Sequence, residues 1–336
     1  MSNLPVRPHI YVHGEKQISV APMMDWTDRH CRYFHRLIAP SVTLYTEMVT
    51  TGALIFGKDT ERFLAYDTAE HPIALQLGGS DPKDLAYCAR LGEEWGYDEI
   101  NLNCGCPSDR VQSGSFGACL MKEPDIVADG VKAMQDDASI PVTVKCRIGI
   151  DDCEPYSFLE DFVGTIAEKS GCKTFIIHAR KAWLKGLSPK ENREVPPLQY
   201  DIAAKIKAAF PDLYFPVNGG IRTLEDAEEK IAQFDGIMIG REAYQNPWFL
   251  RQIEEKFYQS QNLLSETEVA LAMIPYIKEQ QERYGTPVKS VTRHMTGLFQ
   301  GQPGARKWRR ILSTRVHHDD ARAEILETAL EEAFEG

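Results

Sequence analysis

Residues 99–121 read EINLNCGCPSDRVQSGSFGACLM, and the way this stretch begins and ends decides the fold. Ile100 and Leu102 alternate with polar neighbours, which is the period of a β-strand. The alternation stops at Cys104-Gly105-Cys106-Pro107, because Pro107 has no N–H to give a sheet ladder. A loop rich in serine and glycine follows, with Gly114 and Gly117. The strand therefore ends on Asn103 and Cys106 and opens into a loop. A strand end of this kind suits substrate binding, and it suggests an enzyme.

Seven similar runs lie to either side. They are Ile18–Met23, Val42–Met48, Ile73–Gly79, Pro141–Gly149, Thr174–Arg180, Tyr214–Gly220 and Gly236–Glu242. Helical patterns separate most of them. Asp81-Pro82 is a capping residue followed by a helix-starting proline, with Leu85, Cys88, Ala89 and Gly92 at helical spacing behind it. Phe158, Leu159, Phe162, Val163 and Ile166 form a second stripe. Ile202, Ala203, Ile206 and Phe210 form a third, and Leu224, Ala227 and Ile231 a fourth. Thr27–Ile38 also fits a helix. Eight strands alternating with helices predict an α/β fold, a parallel (β/α)8 TIM barrel. The alternative is an open doubly wound sheet. The strand count favours the barrel, and so does the position of the distinctive polar residues, each at the C-terminal end of its strand.

From about Ser265 the strand-like runs stop. Val269, Met273, Tyr276 and Ile277 suggest one helix, and Val288–Phe299, Ala305–Val316 and Asp320–Phe334 three more. The predicted organisation is a catalytic barrel over residues 1–255 and a small all-helical C-terminal domain over 256–336. The helical part has no catalytic-looking cluster, so binding is its expected role. Residues Met1–Gln17 carry Pro5, Pro8 and Gly14 and read as an irregular lead-in.

Composition narrows the class. The chain has 336 residues, 43% of them apolar, enough for a sizeable core. The start of the chain lacks a long apolar run, so neither a signal peptide nor a membrane span is expected. Eight cysteines without a C-x-x-C pair argue against structural zinc and against a secreted disulfide framework. No metal is expected, and reduced thiols point to the cytoplasm.

The strand ends collect the candidate chemistry: Ala21-Pro22-Met23 on the first, Gln76 on the third, Asn103 and Cys106 on the fourth, Lys145 and Arg147 on the fifth. His178 and Arg180 follow on the sixth, Asn218-Gly219-Gly220 on the seventh and Gly240-Arg241 on the eighth. Glycine-rich turns after strands seven and eight are where barrels hold phosphates. Their backbone N–H groups approach a phosphate closely, and Arg241 adds charge. A phosphorylated cofactor fits, although these features do not select one. Gln76 and Lys145 can hydrogen-bond a flavin ring, and Met23 and Met24 can pack on a flat one. Duller readings compete: Cys106 as a small buried hydrophobe, His178 as a core histidine, and the methionines as packing. Cys104, two residues before Cys106, is a rival thiol.

The net charge of −11 disfavours a nucleic-acid partner at face value. It is unevenly spread. Residues 287–318 contain no Asp or Glu, yet hold Lys289, Arg293, Arg306, Lys307, Arg309, Arg310 and Arg315, with Trp308 and Phe299 interleaved. A second basic run, Arg180, Lys181, Lys185, Lys190 and Arg193, follows the sixth strand. Such patches bind phosphate backbones whatever the net charge. The alternatives are a solvated helix face or internal ion pairs with the acidic residues after His318.

In order along the chain, Ala21-Pro22-Met23, Asn103-x-Gly105-Cys106-Pro107, Lys145, His178 and Asn218-Gly219-Gly220-Ile221 resemble the tRNA-dihydrouridine synthase family. HARKAWLKGLSPKENR (His178–Arg193) and GLFQGQPGARKWRR (Gly297–Arg310) are similar to the bacterial subfamily that acts on D-loop uridines 20 and 20a. The resemblance implies FMN, NADPH as reductant, and tRNA as partner; no obligate protein partner is evident in the sequence. It implies that Pro22, Met23, Met24, Gln76, Lys145, His178, Asn218, Gly219, Gly220, Gly240 and Arg241 surround FMN. Cys106 would be the proton donor. Reducing the C5=C6 bond of uridine needs a hydride at C6 and a proton at C5. A thiol, with an ordinary pKa of about 8.5, is acidic enough for that task, and a serine is not. The target base must leave its stack, so the enzyme must grip the surrounding RNA. Asn103 and Arg147 are candidates for the uracil edge. Arg180, Lys181, Lys185, Arg193, Arg293, Arg306, Arg309 and Arg310 are candidates for tRNA. Two other functions stay open: a flavin barrel acting on a free pyrimidine, and a tRNA-binding protein whose catalysis has lapsed.

Overall fold

The strand order is β1-β2-β3-β4-β5-β6-β7-β8 in a closed barrel, every neighbouring pair parallel. In this computed structural model the strands are β1 (Gln17–Val20), β2 (Thr43–Thr50), β3 (Ile73–Gly78), β4 (Glu99–Cys104), β5 (Val142–Arg147), β6 (Phe175–His178), β7 (Pro216–Asn218) and β8 (Gly236–Ile239). All eight predicted runs are strands, and the open-sheet alternative is excluded by the β1–β8 pairing, with Ile18 opposite Ile237. The structure describes residues 16–108, 114, 116–318 and 321–335. The lead-in before Lys16, most of the loop between Ser108 and Phe116, and the start of the expected last helix at Asp320 lie outside them.

Alternation places Ile100, Leu102 and Cys104 on the outer face of β4 and Glu99, Asn101 and Asn103 on the inner face. The outer face packs tightly. A Cβ on Gly92 of the helix Pro82–Glu94 would lie 2.6 Å from Ile100 Cδ1. Inside the barrel, Tyr45, Ala74, Ile176 and Met238 pack together with Ala21. The helices start as their sequences direct. Asp81 accepts the N–H groups of Lys83 and Asp84 ahead of the helix Pro82–Glu94. Thr223 and Asp226 form a reciprocal capping box. The helix Pro124–Asp137 was not singled out in the sequence, although Val127, Val131 and Met134 give it a buried stripe.

The chain divides into two compact units that do not follow chain order. The first comprises Met1–Met23, Thr43–Tyr66 and His71–Gly240, and holds the barrel. The second comprises Met24–Val42, Asp67–Glu70 and Arg241–Gly336. The helix Arg29–Ile38 belongs to the second unit. Particular contacts hold it there. Tyr33 stacks on Tyr276 with ring centroids 4.0 Å apart. Asp28 caps the helix through the N–H groups of His30 and Cys31, and pairs with Arg293 at 2.7 Å and His294 at 3.0 Å. The Asp28 carboxyl, though burial opposes it, is held well below the usual carboxylate range by His294, by His30 and by the Cys31 N–H. Arg32 pairs with buried Glu70 at 2.7 Å.

Within the second unit, the expected helix Val288–Phe299 is helical only over Val288–Thr292, then tightens into a 3-10 turn, Arg293–Met295. The last helix runs Ile325–Leu330 and widens into a π turn, Glu331–Glu335. The helix Ala305–Thr314 is amphipathic. It buries Ala305, Trp308, Ile311 and Leu312 and exposes Arg306, Arg309, Arg310 and Ser313 on the opposite face. Trp308 is fully buried, donates from Nε1 to the Met295 carbonyl at 2.9 Å and meets Phe299 edge-on. The two aromatics interleaved with the basic run are therefore core residues, not base-stacking platforms. Among the described residues no helix is long and apolar enough to cross a membrane.

Candidate active site at the barrel mouth

The C-terminal ends of β3, β4, β5, β6 and β7 bring Gln76, Asn103, Lys145, His178 and Asn218 to one end of the barrel. The registers fix their neighbours: Asn103 lies beside Lys145, Arg147 beside His178, and His178 beside Asn218. Lys145 Nζ donates to Asn218 Oδ1 at 3.2 Å, and Asn218 Nδ2 donates to the Met238 carbonyl at 2.7 Å. Burial, with Arg147 beside it, lowers the Lys145 pKa to about 8. Burial, reinforced by Arg147, Lys145, Arg180 and Arg193, holds His178 well below the imidazole range, so it is neutral at pH 7.

The lowered Lys145 pKa carries a prediction. An unfolded lysine keeps its proton to about pH 10.4, so between about 8 and that value the folded protein binds fewer protons. Lys145 therefore adds stability as pH rises through that window. After reductive ¹³C-methylation, the Lys145 resonance should titrate near pH 8, apart from the surface lysines. A Lys145 resonance that moves with the surface lysines would contradict the assignment.

The Cys106 turn is held from both sides. Asn103 Oδ1 accepts the N–H of Gly105 at 3.1 Å and of Cys106 at 3.0 Å. The Cys106 carbonyl accepts the N–H of Ala118 at 2.9 Å, where the loop returns. The Cys106 thiol is partly exposed and faces Ser108 Oγ at 3.5 Å. Cys104 differs on every count. It is fully buried on the outer face of β4, and burial pushes its thiol well above the ordinary range. All eight cysteines are free thiols. Among the described residues no group of His, Cys, Asp or Glu could hold a metal ion.

At the seventh strand exit, Gly219 has φ +112° and Gly220 φ +73°, conformations that favour glycine. A Cβ on Gly219 would lie 2.8 Å from His178, and one on Gly220 2.5 Å from Leu198. Neither N–H donates to a protein acceptor among the described residues. Met23 is buried and Pro22 and Gly240 are partly exposed; all three lie in the barrel unit. Met24, which is exposed, and Arg241 fall in the second unit.

The expected RNA contacts separate by environment. Arg147 is buried and donates to three loop carbonyls: Gly105 at 2.8 Å, Lys181 at 2.9 Å and Asn192 at 2.9 Å. It ties the loop after β6 to the Cys106 turn. Arg180 donates to the Pro196 carbonyl, Lys181 to that of Cys153 at 2.8 Å, and Arg193 to that of Pro189 at 3.0 Å. Arg293 pairs with Asp28. Lys185, Arg306, Arg309 and Arg310 are exposed and make no ion pair among the described residues. Arg315, by contrast, pairs with Glu332, the kind of internal pair weighed for this basic run. Asn192, which the sequence did not single out, is fully buried and holds Trp183 N–H at 2.7 Å and the Trp183 carbonyl at 2.9 Å. Nothing in its local sequence marks it.

Comparison with known proteins adds a separate line. A sequence model described as dihydrouridine synthase matches residues 19–334. A protein of Vibrio cholerae named tRNA-dihydrouridine(20/20a) synthase is 58% identical over 315 residues, covering 94% of this chain and 95% of its own. A protein of Escherichia coli K12 with the same name is 58% identical over 320 residues, covering 95% and 92%. One of Yersinia pestis, again with that name, is 56% identical over 316 residues, covering 94% and 91%.

Proposed function

The chain belongs to the dihydrouridine synthase family, and on that premise we propose that it reduces uridine to dihydrouridine in the tRNA D-loop. The positions are 20 and 20a, as the names of its relatives state. The reading includes FMN as cofactor, NADPH as reductant and Cys106 as proton donor. The observation that carries it is the Cys106 turn, clamped at the barrel mouth beside two cationic side chains.

The residues of the mouth fit a flavin phosphate. Lys145 makes one hydrogen bond among the described residues, so two of its N–H groups remain available. Gln76 Nε2 uses one N–H on Asn101 and keeps the other. The Gly219 and Gly220 N–H groups suit a phosphate. Gln76, Lys145, His178 and Asn218 would hold the ring, with Met23 packed on it, and Asn218, Gly219, Gly220 and Gly240 would hold the phosphate side. Bound FMN, once reduced by NADPH, would supply the hydride that the reduction needs at C6 of the uracil.

Cys106 gives its proton to C5, leaving a thiolate. Two cationic side chains flank the turn: Arg147 donates to the Gly105 carbonyl at 2.8 Å, and Lys145 lies beside Asn103 in the strand register. Asn103 keeps one N–H beyond its bond to Gln76 and can offer it to a uracil oxygen. The exposed cations Lys185, Arg306, Arg309 and Arg310 serve the tRNA backbone. The barrel unit is then the catalytic part, and the helical C-terminal segment within the second unit grips the RNA.

Incubation of the FMN-loaded enzyme with NADPH and unmodified tRNA tests the reading directly. Nuclease mapping by mass spectrometry should find two added hydrogens on the uridines at positions 20 and 20a. Unaltered tRNA after complete incubation would contradict it.

A further inference from the structure

A continuous line of hydrogen bonds runs through the barrel from its floor to the Cys106 turn. At the floor, Glu99 Oε1 accepts from Tyr45 OH at 2.8 Å and Thr143 Oγ1 at 2.5 Å. Thr143 Oγ1 accepts from Asn101 Nδ2 at 2.7 Å. Asn101 Oδ1 accepts from Gln76 Nε2 at 2.7 Å, and Gln76 Oε1 from Asn103 Nδ2 at 2.8 Å. Asn103 Oδ1 then accepts the two backbone N–H groups of the turn. All the side chains in the line are buried.

The line has one direction, set at the mouth and matched at the floor. Backbone N–H groups can only donate, so Asn103 must turn its oxygen to the mouth and its amide nitrogen to Gln76. That sets Gln76, then Asn101, and makes Thr143 accept from Asn101. The Thr143 proton is left for an acceptor, and Glu99 is one. Glu99 Oε1 accepts from both Tyr45 and Thr143, so the floor takes the orientation that the mouth demands. Side-chain amides interconvert acceptor and donor by a half-turn. A row of three with an indifferent floor has two arrangements, and the reversed one points an N–H of Asn103 at the N–H groups of Gly105 and Cys106.

We propose that Glu99 is a positioning residue for Cys106, acting through Thr143, Asn101, Gln76 and Asn103. It rests on the reading of Cys106 as proton donor, and it adds a role for a residue at the far end of the barrel. The same line fixes Gln76 to offer a bound ring an N–H and not a carbonyl. A buried hydrogen-bonded network of this kind rigidifies what it holds.

Thr143→Val keeps the shape and removes the hydroxyl, Thr143→Ser restores it, and Glu99→Gln makes the floor indifferent. The first readout is the rate at which iodoacetamide alkylates Cys106 in the full-length protein, mapped by mass spectrometry and divided by the rate at Cys153. In Thr143→Val and Glu99→Gln this ratio should rise about fivefold as the turn loosens, and in Thr143→Ser it should stay within about twofold of wild type. The second readout is reoxidation of the NADPH-reduced, FMN-loaded enzyme by unmodified tRNA, which should fall about tenfold in the first two variants and recover in the third. An unchanged ratio in Thr143→Val and Glu99→Gln would overturn the proposal. So would a Thr143→Ser protein as perturbed as Thr143→Val, or equal acceleration at Cys153, which reports general loosening. Alkylation needs no tRNA. A wild-type enzyme that tRNA fails to reoxidise would refute the proposed function and leave the positioning result standing on the first readout.

Discussion

Cys106→Ala is expected to bind flavin as the wild type does and to lose roughly 100- to 10,000-fold in tRNA reduction, the usual worth of a positioned general acid. The geometry separates this thiol from its rival. Cys106 sits partly exposed on a turn held by Asn103 and Ala118, while Cys104 is sealed on the outer face of β4. Cys104→Ala should therefore cost a little stability from the cavity it leaves, and turnover should persist. The measurement is single-turnover reoxidation of the reduced enzyme by tRNA, with flavin affinity determined in parallel. A Cys106→Ala enzyme that turns over at the wild-type rate would remove the proton-donor role. One that loses flavin would show that the residue shapes the cofactor site instead.

Arg309→Glu combined with Arg310→Glu should weaken tRNA binding about 10- to 100-fold at low salt, because two cations are reversed on a surface proposed to bind phosphates. Both side chains are exposed on the face of the helix Ala305–Thr314 opposite Trp308 and Ile311. The change therefore leaves the buried stripe intact. NADPH oxidation without tRNA should be unaffected. Gel-shift titrations over a salt series read both the affinity and the slope, and the slope should become shallower in the variant. Arg315→Glu is a useful contrast, since Arg315 is already paired with Glu332 and should matter less. Unchanged affinity in the double variant would take this helix face out of the binding surface.

Much of this architecture is legible in the sequence. A β-strand shows itself by a period of two, and eight such runs separated by helical stripes have few other solutions than a barrel. The strand exits were legible for the same reason: Pro107 and Gly219-Gly220 mark where the chain leaves the sheet. The allegiance of the helix Arg29–Ile38 was not, because an amphipathic segment looks the same whichever unit its apolar side meets. The partners of Arg147 were hidden too. A guanidinium at a strand exit reads as a ligand contact, and only the fold reveals three loop carbonyls converging on it. Trp308 lies among arginines in the sequence, yet the helix turns it inward. The inner face of β4 left a trace in Glu99, Asn101 and Asn103, alternate residues that are all polar where barrel interiors are mostly apolar. Their hydrogen-bond order depends on Gln76 and Thr143 from neighbouring strands, which no local pattern records.

The most direct test of the central claim is the visible spectrum of the FMN-loaded protein under anaerobic conditions, followed through NADPH and then unmodified tRNA. The account predicts flavin bands that bleach with NADPH and return when tRNA is added. Bands that bleach and stay bleached in the presence of tRNA, yet return with a free pyrimidine, would contradict it and make the barrel a small-molecule reductase. A protein that takes up no flavin would contradict the redox reading altogether.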